Sequence, residues 1–217
     1  AETGETLRIL QGHRYSVDSA VFSSDGERIL SHSTDAILWN ARTGEKIRRF
    51  EPKTRIVSAV FSPDDRFILT GDLDDATLWD AETGAAIRTL AEHKKTVDTA
   101  IFSPDGKRIL TCSNDTVFLW DRESGEDILS FRAPMGKSIN RLLFSPDERT
   151  LFGISSEIFA FDTSTWERCP AFSKDYICEN EQRVLKGETL SFSPDGKTLL
   201  TSSSNEVKLW RSLVDLQ

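Results

Sequence analysis

Short apolar runs alternate with turn residues along the whole chain. In residues 97–131, VDTAIF is followed by the turn SPDG, KRILTCS by the turn ND, and TVFLWD by RESGE, which leads into DILSF. Apolar runs of about four to eight residues bounded by Gly, Pro, Asn and Asp predict short β-strands joined by tight turns. One period of this pattern therefore predicts four strands.

The first of these turns recurs about every forty residues, which is typical of a repeat architecture. Its copies read FSSDG, FSPDD, FSPDG, FSPDE and FSPDG, and they begin at Phe22, Phe61, Phe102, Phe144 and Phe192. Pro fixes φ early in a type I turn, Asp hydrogen-bonds the bend, and Gly takes the position with positive φ. The repeated motif therefore predicts a hairpin turn and not a binding motif.

Each copy also carries an aromatic residue on its predicted third strand: Trp39, Trp79, Trp120, Phe161 and Trp210. A single four-stranded unit cannot hide both of its faces from water, so neighbouring units must stack and share a core. We expect the aromatic rings to anchor that shared core.

These motifs resemble those of the WD-repeat (WD40) β-propellers, in the form of bacterial multi-repeat proteins. The matching residues are the pairs Trp79-Asp80 and Trp120-Asp121, the weaker forms Trp39-Asn40, Phe161-Asp162 and Trp210-Arg211, and Gly12-His13, with His93 at the position of His13. The resemblance implies an all-β fold with four-stranded antiparallel blades, in which His and Asp hydrogen-bond with the third-strand Trp. The residues to which it gives structural roles are His13, Asp35, Trp39, Trp79, His93, Asp115, Trp120, Phe161 and Trp210.

By this resemblance the chain forms one propeller region over residues 1–217, with five blades. We expect them near residues 11–50, 51–90, 91–131, 132–172 and 187–210, the last completed by a strand from residues 5–10 beside Val207–Trp210. The chain starts in the middle of a repeat, which favours a piece of a longer, commonly seven-bladed propeller over a closed five-bladed ring. Further blades or an effector domain in the same full-length chain would then be partners.

Composition excludes several classes of function. A formal net charge of −8 disfavours nucleic acid as a partner, because such binding needs clustered Lys and Arg. The chain contains no run of about eighteen apolar residues, so the sequence predicts no membrane-spanning helix. The three cysteines, Cys112, Cys169 and Cys178, show no framework spacing and predict reduced thiols in the cytoplasm, although a Cys169–Cys178 pair stays open.

Catalytic and metal-binding patterns are weak. With His13 and His93 assigned to the scaffold, His32 is the remaining candidate base, but Ser31 and Ser33 are predicted to point to the opposite face of its strand. The acidic segment GDLDDA (71–76) lacks the Gly and distal Glu that complete a calcium loop. We therefore predict no catalytic residues, no metal and no cofactor.

A protein or peptide is the predicted partner. In propellers of this family the loops before each first strand and the turns between the second and third strands share one face. With Tyr176, from the insertion at 172–187, the candidate binding residues are Arg14, Tyr15, Lys53, Arg55, Asp72, Asp74, Lys94, Lys95, Met135 and Lys137. We expect a non-enzymatic interaction scaffold; the alternatives are a regulatory or sensing region of a larger bacterial signalling protein and, third, a propeller-type enzyme.

Overall fold

The computed structural model describes residues 6–132, 138–155, 158–167, 189–193, 195, 197–203 and 206–211. The chain divides into two compact units, the first comprising Ala1–Thr111 with Trp120–Asp127 and the second Cys112–Leu119 with Ile128–Gln217. Throughout the described residues the regular elements are β-strands, which form five antiparallel sheets of three or four strands. The predicted all-β fold of repeated antiparallel units is confirmed.

In every sheet, strands that follow one another in the chain are hydrogen-bonded neighbours. The first sheet contains β1 (Ser19–Phe22), β2 (Arg28–His32), β3 (Ala36–Asn40) and β4 (Lys46–Phe50). The second contains β5 (Ile56–Phe61), β6 (Phe67–Asp72), β7 (Ala76–Asp80) and β8 (Ala86–Leu90). The third contains β9 (Thr99–Phe102), β10 (Arg108–Ser113), β11 (Thr116–Asp121) and β12 (Asp127–Arg132). The fourth contains β13 (Arg141–Phe144), β14 (Thr150–Ile154) and β15 (Ile158–Asp162). The fifth contains β16 (Thr189–Phe192), β17 (Thr198–Ser203) and β18 (Glu206–Arg211).

The repeated turn is held by its serine as well as by Pro, Asp and Gly. In the third copy Ser103 Oγ donates to Asp105 Oδ1 at 2.6 Å and accepts a hydrogen bond from Arg108 N at 2.9 Å. Gly106 has a φ of 68° and donates to Ser103 O. The serine accepts the same backbone hydrogen bond in all five copies. It therefore closes the hairpin by binding the first residue of the next strand.

In the first unit, the first and second sheets share one apolar core. Leu30, Leu38 and Phe50 of the first sheet pack with Ile56 and Trp79 of the second. The Phe50 and Trp79 rings meet edge to face, with centroids 5.7 Å apart. Each sheet thus hides one of its faces against its neighbour in the chain, as the repeat pattern predicts.

In the second unit, the fourth and fifth sheets share another core. Phe152, Ile154 and Ile158 pack with Leu190 and Leu199. The ring of Phe192, the first residue of the last FSPDG copy, lies 5.8 Å from that of Phe152. Sheets of successive repeats therefore stack in this unit as well.

Residues 6–10 form no strand, and Glu5 lies outside the described residues. The closing strand over 5–10 therefore stays a prediction. These residues nevertheless lie against the first sheet, because a Cβ built on Gly44 would come 2.7 Å from Cδ of Arg8. Arg48 covers Gly84 and Arg88 covers Gly125 in the same way. In each case an arginine from the preceding repeat fills the space left by a turn glycine.

Trp166 lies at the same turn position in the fourth copy. Its φ is 59°, close to the φ of 76° at Gly44 and Gly84. The structure places Trp166 in the turn that follows β15. Its ring stacks on Phe131 with centroids 6.4 Å apart. At this turn a contact between two aromatic rings thus replaces the contact of an arginine with a glycine.

Candidate functional site

The polar cluster around His13 joins three segments of the first repeat. His13 Nδ1 lies 2.8 Å from Asp35 Oδ1, and His13 Nε2 lies 2.6 Å from Ser31 Oγ. The indole nitrogen of Trp39 donates to the same Ser31 Oγ at 2.8 Å. The loop before β1, the strand β2 and the turn between β2 and β3 are thereby connected.

These contacts have the connectivity of a Ser-His-Asp hydrolase site, but the environment does not suit catalysis. Ser31 is buried, and its oxygen is already engaged by Trp39, whereas a nucleophile must reach a substrate carbon. Asp35 also forms an ion pair with Arg49, whose Nη2 donates to Gly12 O at 2.6 Å. The cluster is therefore suited to hold the loop before β1 in place.

The third repeat has a related cluster. His93 Nε2 lies 2.7 Å from Thr111 Oγ1, which also accepts a hydrogen bond from Trp120 Nε1 at 2.8 Å. His93 Nδ1 faces Leu90 O at 3.1 Å. Burial lowers the pKa of His93 below its ordinary value, against an opposing effect of the Leu90 carbonyl. Asp115 Oδ1, by comparison, accepts from its neighbours Asn114 and Thr116.

A hydroxyl on the second strand is the member of these clusters that motif matching missed. In the second repeat Trp79 Nε1 donates to Thr70 Oγ1 at 2.8 Å. The fourth repeat has Gly153 at the equivalent position and has Phe161 in place of Trp, so there is no side-chain N–H to satisfy. The ring of Phe159 lies where a side chain on Gly153 would lie. The signal was available in the sequence, because Ser or Thr precedes each third-strand Trp by eight or nine residues.

The remaining predicted structural aromatics lie on third strands as expected. Phe161 is buried on β15, where its ring contacts Phe131 with centroids 4.2 Å apart. Trp210 lies on β18, where its Cα is in register with that of Leu199. The positions of both agree with the repeat phase read from the sequence.

His32, the candidate base, is buried at the end of β2. Its Nδ1 has no hydrogen-bond partner among the described residues. Burial lowers the pKa of His32 below its ordinary value, with a smaller opposing effect of the Asp18 charge. A neutral imidazole enclosed in this way has no access to a substrate proton.

The loops before the first strands contact the turns between second and third strands in the first unit. Thr54 Oγ1 accepts a hydrogen bond from Leu73 N at 3.1 Å, and Val97 N donates to Asp72 O at 3.0 Å. An ion pair joins Arg55 to Asp18 at 2.9 Å. The structure therefore brings loops of the first three repeats together on one surface.

We call this surface the loop face and define it by the exposed predicted binding residues together with Leu73; the exposed carboxylates of Asp18, Glu92 and Asp98 lie on the same loops. Its residues are Arg14, Tyr15, Lys53, Arg55, Leu73, Asp74, Lys94 and Lys95. Leu73, 43% exposed, is an apolar member that charge patterning did not suggest. Of the other predicted binding residues, Met135, Lys137 and Tyr176 lie outside the described residues.

Asp72 requires a correction. It is predicted to present its carboxylate to a partner, but it is only 3% exposed. Its Oδ1 accepts hydrogen bonds from Asp74 N and Asp75 N, both at 2.9 Å, so the carboxylate holds its own turn. Burial and the Asp72 charge raise the pKa of Asp75, while Lys53 acts in the opposite direction.

Two further features do not occur within the described ranges. No group of three or more His, Cys, Asp or Glu side chains in that part of the chain could hold a metal ion. No helix there is long and apolar enough to cross a membrane.

Comparison with known proteins gives one family. The family model described as "WD domain, G-beta repeat" matches residues 4–40, 44–80, 84–121 and 182–211, which together make up more than half of the chain. A search of curated proteins found no match. The first three matched segments each end at the third-strand residue pair Trp39-Asn40, Trp79-Asp80 or Trp120-Asp121.

Proposed function

Because the chain belongs to the WD-repeat family, we propose that it is a non-enzymatic platform that binds an acidic protein or peptide through the loop face. The observation that carries this proposal is the loop face itself, which combines exposed cations with exposed apolar side chains. Proteins and peptides are the partners that combine acidic and apolar groups in this way.

The charge of the loop face contrasts with that of the whole chain. Five of its eight residues are Arg or Lys, and carboxylates on the same loops, such as Asp18 in its ion pair with Arg55, offset part of this charge; the whole chain carries a formal net charge of −8. An acidic partner is repelled by most of an acidic protein and attracted at a cationic patch, which orients its approach. The loop face would thus select both the partner and its orientation.

Apolar contacts would supply much of the affinity. Tyr15 is 67% exposed and Leu73 is 43% exposed. Aromatic side chains surrounded by polar groups are frequent anchors of protein interfaces, because exposed charge pairs alone contribute little. We therefore expect the bound segment to carry an aliphatic or aromatic residue beside its acidic residues.

We propose no catalytic role, because the polar cluster around His13 connects strands and loops. Ser31 and His13 each use their side chains to connect strands and loops, and Asp35 is paired with Arg49. Substitutions in this cluster should therefore lower the stability of the fold.

The test is selection of random displayed peptides on the protein, followed by fluorescence anisotropy with the enriched peptides. Enriched sequences should be acidic, and Lys94→Glu with Lys95→Glu should weaken their binding about tenfold. The matched control, Lys46→Glu with Lys107→Glu, changes the net charge equally at exposed lysines away from the loop face and should leave binding intact.

A second variant tests the same surface independently. Arg14→Glu should weaken the same peptides, and binding should fall as salt is added. If the control pair weakens binding as much as the loop-face pair, or if neither does, the loop face is not the binding site.

A further inference from the structure

Two arginine side chains meet one phenyl ring between the second and third sheets. Cζ of Arg122 lies 4.6 Å from the ring centroid of Phe67, and Cζ of Arg66 lies 5.7 Å from it. A guanidinium held on an aromatic ring by a cation–π contact keeps the N–H groups at its edge for hydrogen bonds. Phe67 begins β6 and Arg122 follows β11, so the three residues lie at the strand ends opposite the loop face, within the first unit.

Both sides of this contact are exceptions to the repeat. Arg122 lies two residues after its Trp, where the first two repeats have alanine. Phe67 is the first residue of its second strand, where the first and third repeats have Arg28 and Arg108. The fold of a repeat therefore does not require an arginine on a phenyl ring here, and the contact belongs to the junction of the second and third repeats.

The guanidinium of Arg122 lacks an acceptor in the described part of the chain. Its Nε is buried and has no hydrogen-bond partner there, and neither Arg122 nor Arg66 forms an ion pair with a described carboxylate. Arg28 makes a similar contact with the ring of Phe61, but it donates to Asp65 O at 3.1 Å. Arg122 is thus held in place and already desolvated at Nε, so it can receive an anion without first losing an internal partner.

Asp64 is a carboxylate on this surface whose charge interacts with both arginines. Burial acts to raise the pKa of Asp64, but hydrogen bonds from Ser62 and Arg66 and the charges of Arg122 and Arg66 lower it below its ordinary value. Its Oδ1 accepts from Ser62 Oγ at 2.6 Å and from Arg66 N at 3.2 Å, so this atom holds its own turn. Asp64 therefore offsets part of the positive charge without satisfying either guanidinium. Further carboxylates on the adjoining turns are those of Asp80, Glu82 and Glu123.

We propose that Arg66 and Arg122 together bind a phosphate monoester. A carboxylate has two oxygens and fills one guanidinium fork, whereas a phosphate monoester has three terminal oxygens and can accept from two guanidiniums at once. Its charge of about −1.5 to −2 at neutral pH also outweighs the nearby Asp64 better than a single carboxylate charge would. A small phosphate ester and a phosphorylated side chain both carry this group. The site is independent of the loop face and of the function proposed for it.

The experiment is a titration of the full chain with inorganic phosphate at constant ionic strength, followed by the backbone amide NMR signals of Phe67 and its neighbours. These signals should shift to saturation with one Kd. Acetate under the same conditions should bind about tenfold more weakly, because it fills a single fork. A phosphoserine peptide then distinguishes the sources: tighter binding than inorganic phosphate identifies a phosphorylated protein, and equal binding identifies a small ester.

Variants locate the site and separate binding from folding. Arg122→Ala restores the residue type of the first two repeats and should raise the Kd for phosphate about tenfold. Arg122→Lys keeps the charge but loses the fork, so it should raise the Kd about fivefold. Asp64→Asn should lower the Kd about threefold, because a repelling charge is removed. The matched control is Arg42→Ala, which removes an exposed arginine from the turn after β3 and should leave the Kd unchanged.

Three results would overturn the proposal. The first is the absence of saturable shifts with phosphate, or equal shifts with acetate. The second is an unchanged Kd in Arg122→Ala. The third is an equal loss in Arg42→Ala, which would mean that phosphate responds only to the overall charge. If the thermal melt of Arg122→Ala differs from that of Arg42→Ala, Phe67→Leu replaces it and should also raise the Kd, because the ring that positions Arg122 is removed.

Discussion

The first and third repeats satisfy the same buried indole in two ways. In both, a second-strand hydroxyl accepts the Trp N–H and meets a His nitrogen, with nearly equal distances. The other nitrogen of His13 meets the Asp35 carboxylate, which Arg49 also binds, whereas that of His93 meets the carbonyl of Leu90. The hydroxyl and the Trp are thus common to both, while the group behind the His differs between a charged pair and a backbone carbonyl.

The largest effect should come from the shared member and should be equal in the two repeats. Trp39 and Trp120 are each 2% exposed. Replacing either by Ala removes a large buried ring and should lower the free energy of unfolding by about 3 to 5 kcal/mol. Urea unfolding followed by circular dichroism measures this loss. An unchanged melting temperature for Trp120→Ala would show that its ring does not anchor the repeat.

Removing the carboxylate should lower stability more in the first repeat than in the third. Asp35→Ala removes the carboxylate that His13 and Arg49 share and leaves Arg49 with Gly12 O alone, and since the Asp35 side chain is 9% exposed we expect a loss of about 3 kcal/mol. Asp115→Ala removes contacts with adjacent residues only and should cost less than about 1 kcal/mol. Equal losses in urea unfolding would contradict the difference between the repeats. Adding Arg49→Met to Asp35→Ala should recover part of the loss, because the unpaired charge is removed.

Removing the second-strand hydroxyl should lower stability more in the third repeat, where that hydroxyl contacts both a Trp and a His. Thr111→Val keeps the shape of the side chain but removes the acceptor of Trp120 and the contact of His93, which predicts a loss of about 2 kcal/mol. Thr70→Val removes the acceptor of Trp79 and a long contact to Thr77 O, which predicts about 1 kcal/mol. Both residues are at most 1% exposed, so they form a matched pair. The reverse order of unfolding midpoints would show that the His contact does not contribute.

The smallest effect is a pH dependence of stability from buried histidines. Burial lowers the pKa values of His32 and His93 below their ordinary value of 6.5, so between that value and the folded-state pKa the unfolded chain binds more protons than the folded one. The stability that these neutral histidines contribute is therefore fully present above pH 6.5. It is lost as the pH falls from 6.5 through their folded-state pKa values. His93→Gln should reduce the difference between urea midpoints at about pH 7.5 and about pH 5.5. An unchanged difference would show that His93 does not contribute to it.

The fold could be predicted because each repeat carries the sequence signals of its own strands and turns. Pro, Asp and Gly at one turn and an aromatic residue on the third strand define the phase, and tertiary packing only repeats it. The positive φ at Trp166 could not be predicted, because such a φ is rare for a Trp and the glycine-based turn signal is absent there. The turn serine was missed because its hydrogen bond joins residues across the hairpin.

The candidate site was less predictable than the fold. Exposed loop residues such as Arg14 and Lys94 follow from their position between strands. The burial of Asp72 does not, because it depends on a turn whose backbone N–H groups need an acceptor inside the loop. Leu73 is apolar in a polar segment, and only its exposure in the structure distinguishes it from a core residue.

The arginines that cover turn glycines have a consequence for the history of this gene. Arg8, Arg48 and Arg88 each belong to one repeat and fill a space in the next, so duplication or unequal recombination among these repeats preserves every such junction. The fourth repeat cannot be exchanged as freely, because Trp166 carries a side chain where the glycines leave room and needs a neighbour such as Phe131. The junction between the third and fourth repeats therefore differs in chemistry from the junctions before it, and a repeat exchanged across it would meet a space of the wrong shape.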